Sequence, residues 1–168
     1  MGEAKHEPWM DDRIGALLRG ENPTEILRMK SGYAVLGDYQ YLPGYCVLLR
    51  VPPAWSLNEL TLAERAQFMQ DMTLVGDAVM EACCPAKLNY AVMMNLDMVL
   101  HAHIQARYAW EPDEYRRGPA WSYPVEQRTD EKCYYAVEEN IALKERIRAA
   151  LTKRLADIGY WEGGTPCP

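Results

Sequence analysis

The chain of 168 residues holds only three histidines, no C-x-x-C pair and no excess of basic residues. No uninterrupted apolar run approaches the ~18–20 residues that a bilayer-spanning helix needs, so no membrane segment is expected. The net charge of −6 argues against a surface built to coat nucleic acid, which is normally basic. It leaves room for a small anionic ligand, which needs only a local pocket. The five cysteines (Cys46, Cys83, Cys84, Cys133 and Cys167) are odd in number and lack metal-ligand spacing; reduced, mostly buried thiols are expected. The opening "MGEAKHEPWMDD" lacks the charged-then-apolar layout of a secretory signal. His6 stands where N-myristoylation wants Ser or Thr. The expected location is therefore cytoplasmic.

What is present fits one globular domain over residues 1–168, since 49% of residues are apolar and 25% charged. Residues 1–25 are polar and read as a lead-in with one short helix around Arg13–Arg19. Two apolar runs, Tyr33–Leu36 and Tyr45–Val51, flank a segment holding Gly37, Asp38, Pro43 and Gly44, the mark of a hairpin with a long connection. Pro52 and Pro53 end the second run. Thr61 and Glu64 form a capping box, followed by Leu62, Ala66, Met69, Met72, Val75 and Val79 at helical steps. Pro85 stops that helix. "KLNYAVMMN" (87–95) and "MVLHAHIQARY" (98–108) read as two strands. Trp110 and Trp121 are expected as packing anchors in an irregular stretch, 109–130. A second helix is expected over about 130–158, with Val137, Ile141, Ile147, Leu151 and Leu155 on one stripe and Gly159 ending it. The order is that of an α+β fold: an antiparallel sheet packed by a long amphipathic helix, plus a C-terminal helix.

Two of the three histidines, His101 and His103, sit two apart. In a strand, His101, His103, Gln105 and Arg107 share one face, while Ala102, Ile104, Ala106 and Tyr108 share the other. The second set suits a core. The polar set is open to three readings: a solvated face, a zinc site, or phosphate chemistry. Zinc needs at least a third protein ligand, and nothing nearby has ligand spacing, so no metal site is expected. For phosphate chemistry, a neutral imidazole is a good nucleophile toward phosphorus and its neighbour can protonate a leaving oxygen. An arginine can hold an oxyanion.

Four ordered blocks, "VLGDYQYLPGYCVLL", "LNELTLAERAQFMQDMTLVGDAV", "KLNYAVMMN" and "RYAWEPDEYRRGPAW", together with the histidine pair, resemble the histidine triad (HIT) family of nucleotide hydrolases and transferases. The resemblance covers most of residues 26–122, a HIT-like core that leaves about 130–158 as a helical extension. Two registers are open. One makes His101 and His103 the first two motif histidines and Gln105 a substituted third, as in the nucleotidyltransferase branch. The other aligns "ARY" with the Pro-Arg-Tyr of bacterial members; His101 becomes the middle histidine, His103 the third, and Val99 replaces the first. The second register is preferred, because it also brings Asn95 onto the family's Asn/Gln.

The resemblance then implies that His101 attacks the α-phosphorus of a nucleoside polyphosphate or phosphoramidate, giving a nucleotidyl-histidine that water or another acceptor discharges. His103 would help protonate the departing group. Asn95 would bind a phosphate oxygen and Asp38 the ribose hydroxyls. Arg107 and Gln105 are counted among the substrate-contacting residues, Arg107 either neutralising phosphate or pairing with an acid. A purine nucleotide or dinucleoside polyphosphate is the expected partner, with a homodimer as assembly and no nucleic acid or membrane. No cofactor is expected beyond magnesium carried on the substrate phosphates. Val99, Ala106 and Gln105 depart from the pattern. Met94, in place of a family glycine, is expected to crowd the phosphate loop. A nucleotidyltransferase and a non-catalytic nucleotide-binding protein are the alternatives.

Overall fold

In a computed structural model, residues 5–161 are described. Cys167 and the tail beyond Trp161, expected to be frayed, lie outside them. The chain opens with a 3-10 turn, Pro8–Asp12, leading into α1 (Arg13–Leu18). Three strands follow: β1 (Glu25–Met29), β2 (Gly32–Leu36) and β3 (Cys46–Arg50). Next come α2 (Leu62–Cys83), β4 (Lys87–Ala91) and β5 (His101–Arg107). Two single-turn helices, α3 (Asp113–Arg116) and α4 (Val125–Arg128), precede α5 (Glu138–Asp157). The strands form one antiparallel sheet in the order β1-β2-β3-β5-β4. No helix among the described residues is long and apolar enough to cross a membrane.

Alternation along the strands separates the two faces of this sheet. Ala34, Leu36, Cys46, Leu48, Ala102, Ile104 and Ala106 point one way and join Phe68, Val75, Ala78 and Val79 of α2 and Ile147, Leu151 and Leu155 of α5 in the main core. α2 starts as its capping box dictates, with Thr61 accepting from the Glu64 backbone and Glu64 reaching back. Gly159, at φ +60°, closes α5, and Tyr160 beyond it donates its hydroxyl to buried Asp71 of α2. Asp71 also accepts from the backbone and hydroxyl of Ser31. The opposite face carries Tyr33, Val35 and Leu49, which Leu17 of α1 covers at one side only. The part of this face left open by α1 is where the site lies.

Several expectations need correction. β1 was not anticipated, because "EILRM" is short and its alternation is broken by a register shift between Glu25 and Leu27. α5 begins at Glu138, not near 130. The stretch before it folds back on the β2–β3 connection: Gln40 donates to the Cys133 carbonyl and Tyr135 to that of Asp38, while Tyr134 and Tyr135 bury their rings. Ile141 and Leu62 are exposed rather than on the buried stripes. Trp110 and Trp121 are exposed too, at 62% and 43%; the anchors of that region are Leu42, Ala120 and Tyr123. The strands expected over 87–95 and 98–108 end at Ala91 and begin at His101, leaving a loop over 92–100.

Candidate active site

The register β3–β5 pairs Val47 with His103 and Leu49 with His101, and β4–β5 pairs Ala91 with His103. Directly opposed residues share a face, so the histidines lie on the open face of the sheet, between an apolar flank on β3 and β4 at the edge. Above them is a cavity of about 540 Å³. Val35, Val47 and Leu49 form its apolar wall; Asp38, Tyr45, His101, His103 and Gln105 supply polar groups. The 92–100 loop contributes Asn95 and Asp97.

The two imidazoles meet, His101 Nε2 to His103 Nε2 at 3.1 Å, with ring planes at 82°. Their outer nitrogens fix the protons. His101 Nδ1 is 2.7 Å from the Val99 carbonyl, which can only accept, so Nδ1 carries the proton and Nε2 the lone pair. The proton between the rings then belongs to His103 Nε2. That leaves His103 Nδ1 as an acceptor, and the Tyr45 hydroxyl donates to it at 2.7 Å. Burial pushes the Tyr45 phenol up, which keeps it a donor. Burial, and secondarily the charge of His101 beside it, lowers His103 to about 4. Near neutral pH, His103 is thus an uncharged N–H donor rather than a strong acid, which narrows the protonating role expected of it.

Tyr45 escaped the sequence reading, as did Arg13. Tyr45 reads as an ordinary strand residue; its ring lies so close over Gly37 that a Cβ there would stand 2.3 Å from it, and only the folded hairpin shows this. Arg13 clamps Asp38 in a two-pronged ion pair, 2.9 and 2.6 Å, and its guanidinium sits over Trp9. Asp38 therefore faces the cavity already paired with a cation. Nothing in the spacing of residues 13 and 38 signals this contact.

Five of the six expected site residues come together: His101, His103, Asn95, Asp38 and Gln105 all line the cavity. Arg107 does not. It is 1% exposed, and its five donors go to Glu111, Asn89, Gly118 and Tyr115. No donor is left for a phosphate, so its partner is an acid, Glu111. Burial works against the Glu111 charge, but Arg107, the Tyr108 N–H and the Tyr123 hydroxyl outweigh it and hold the carboxyl below its usual range. Met94 packs against the core and Met93 lines the cavity instead, so the crowding expected at 94 does not occur. No group of three or more His, Cys, Asp or Glu among the described residues is placed to hold a metal ion.

No protein-family model matches the chain, and no curated protein matches it. Known structures do. A histidine triad nucleotide-binding protein from Sulfolobus tokodaii, described as hypothetical, superposes with a TM-score of 0.66 at 15% identity, over 91% of this chain and 98% of that one. A histidine triad protein from Sinorhizobium meliloti gives 0.64 at 21% identity, over 75% and 87%. One from Marinobacter aquaeolei gives 0.64 at 20%, over 90% and 98%. At these identities the likeness establishes the fold, which is HIT-like.

Proposed function

We propose that this HIT-like protein is a nucleotide hydrolase that cleaves a nucleoside polyphosphate or phosphoramidate at the α-phosphorus, through a nucleotidyl-histidine formed on His101. The observation that carries the reading is the bond from His101 Nδ1 to the Val99 carbonyl. It leaves the lone pair on Nε2, where the His103 N–H covers it until substrate enters, and so supports His101, rather than His103, as the nucleophile, in keeping with the second register. It also explains how a valine can stand where the family has a histidine: the backbone carbonyl does the holding, and a valine supplies it equally well.

In this reading the apolar wall of Val35, Val47 and Leu49 takes the base and sugar, with the ribose hydroxyls toward Asp38 and its Arg13 partner. Asn95 meets a phosphate oxygen. Substrate entry parts the imidazoles, because the His103 N–H that covers the His101 lone pair turns to the bridging atom of the departing group. His101 attacks, the bond to the leaving group breaks, and water later discharges the adduct. Any magnesium arrives on the substrate phosphates. A homodimer in the cytoplasm belongs to the same reading; β4 is an edge strand with Tyr90 exposed, the kind of edge a second copy can cover.

The test is incubation with diadenosine tetraphosphate and, separately, an adenosine phosphoramidate, with His101→Ala and His103→Ala alongside. AMP release, loss of it in His101→Ala, and an AMP-sized adduct mapped to residue 101 after rapid quench are expected. An adduct on His103 would keep the chemistry and overturn the register. Transfer of the nucleotide to an acceptor other than water would make the protein a nucleotidyltransferase. Saturable AMP binding with neither product nor adduct would make it a non-catalytic nucleotide-binding protein.

A further inference from the structure

The open face of the sheet does not end at the histidines. The β4–β5 register continues from Ala91–His103 to Asn89–Gln105 and Lys87–Arg107, and over these pairs lies a second cavity of about 460 Å³. Gln105 and Trp121 line both cavities, so the two adjoin at those residues. Gln105 is one same-face step from His103, about 6.5–7 Å along the strand.

Two features set this second cavity apart. The first is charge. Lys87, Arg116 and Arg117 line it, while Arg107 beneath them is neutralised by Glu111. Among the described residues the only acid paired with these three is Asp113, which both Arg116 and Arg117 contact. Lys87 has no ion-pair partner among the described residues. A chain of net charge −6 thus concentrates cations in one place. The second feature is Gln105, which is 6% exposed yet makes no side-chain hydrogen bond among the described residues. Its amide is not sealed in the core but opens on the two cavities, between the histidines and the cations, with two donors and an acceptor to offer.

We propose that the second cavity is a leaving-group subsite for polyphosphate, and that the protein's substrates are accordingly phosphoric anhydrides rather than phosphoramidates. The inference rests on His101 being the nucleophile. The Nε2 lone pair of His101 forms the bond to the α-phosphorus, and the bond from that phosphorus to the bridging oxygen breaks. The oxygen keeps the electron pair and departs as the end of a shortened polyphosphate, one negative charge richer. Gln105 donates to it, and Lys87, Arg116 and Arg117 stabilise the charge. Water then attacks the phosphorus, the P–N bond returns its pair to Nε2, and a proton is released with the monophosphate. A departing amine would instead have to acquire a proton. The second cavity offers cations that keep their protons and an amide that has none to give up, and neutral His103 is a poor source, so the machinery favours the leaving group that needs charge stabilisation over the one that needs an acid.

The test pairs Arg116→Gln/Arg117→Gln and, separately, Gln105→Leu with the native chain. Calorimetry with inorganic tripolyphosphate reads the subsite without any turnover; binding weakened about tenfold or more in the double variant is expected, from the loss of charge-assisted bonds. The ratio of kcat/KM for diadenosine tetraphosphate over that for an adenosine phosphoramidate should fall by a similar factor in both variants. An unchanged ratio, or tripolyphosphate binding indifferent to the arginines, would overturn the subsite while a His101 adduct left the proposed chemistry standing. No adduct and no turnover of either substrate would overturn the chemistry, and the tripolyphosphate binding would still decide whether the cavity takes polyphosphate.

Discussion

At the scale of single residues, proton placement follows from which neighbours can only accept. The Val99 carbonyl sets His101, His101 sets His103, and Tyr45 completes the line. Burial then depresses His103 to about 4. The imidazole signals of His103, followed by NMR across an acid titration, are expected to move with a midpoint near pH 4 in the native protein. In His101→Ala the same midpoint should rise toward the ordinary histidine range, since the neighbouring charge is gone and water enters. A native midpoint near 6.5 would mean that the ring is hydrated and free to act as a cationic acid.

At the scale of elements, β5 carries two separate kinds of polar residue on one face. His101 and His103 point into the cavity, whereas Arg107, at the far end, holds the segment after the strand. It ties Asn89 of β4, Glu111 and the carbonyls of Tyr115 and Gly118 into one buried knot. Removing one partner of a buried pair strands the other's charge, which typically costs about 3–5 kcal/mol. Arg107→Leu is therefore expected to lower stability by roughly that amount in urea denaturation. Unchanged stability would overturn this structural role. The β2–β3 connection is a comparable device: Gln40 accepts from the Gly44 N–H and donates to the Gly37 and Tyr45 carbonyls, which holds Asp38 at the cavity mouth.

At the scale of the whole molecule, segments distant in sequence close around the sheet. Glu7, near the N-terminus, accepts from the hydroxyls of Tyr134 and Tyr135 ahead of α5, and this brings α1 and Arg13 against Asp38. The Tyr134 hydroxyl bond, though opposed by burial, holds the Glu7 carboxyl below its usual range. Its contribution is full above the unfolded value of 4.5 and is lost as pH falls through the lowered folded value. For His103, also lowered, the unfolded chain takes up a proton from pH 6.5 downward that the folded chain refuses until about 4. The unfolded state binds more protons in both windows, so stability should decline as pH falls. Urea midpoints measured from pH 7 down to 4 are expected to drop first through the His103 window, and Glu7→Gln should flatten the part below about 4.5.

The sequence by itself determined what repeats or is local. The two-residue alternation of β5 put His101 and His103 on one face and Ala102, Ile104 and Ala106 on the other. The Thr61–Glu64 box set the start of α2, and the ordered blocks from the β2–β3 hairpin to β5 were enough to indicate the HIT-like fold. These depend on backbone geometry and nearest neighbours, which the order of residues encodes directly. Only the tertiary structure decided the rest. It turned Arg107 from a candidate phosphate ligand into a buried tie, because Glu111 and two carbonyls reach it first. It placed Tyr45 on His103 and Arg13 on Asp38, and it set Gln105 where two cavities adjoin. Each of those outcomes is a competition among polar groups for partners across long stretches of chain, and the winner is fixed by which groups the packed core brings within hydrogen-bonding reach.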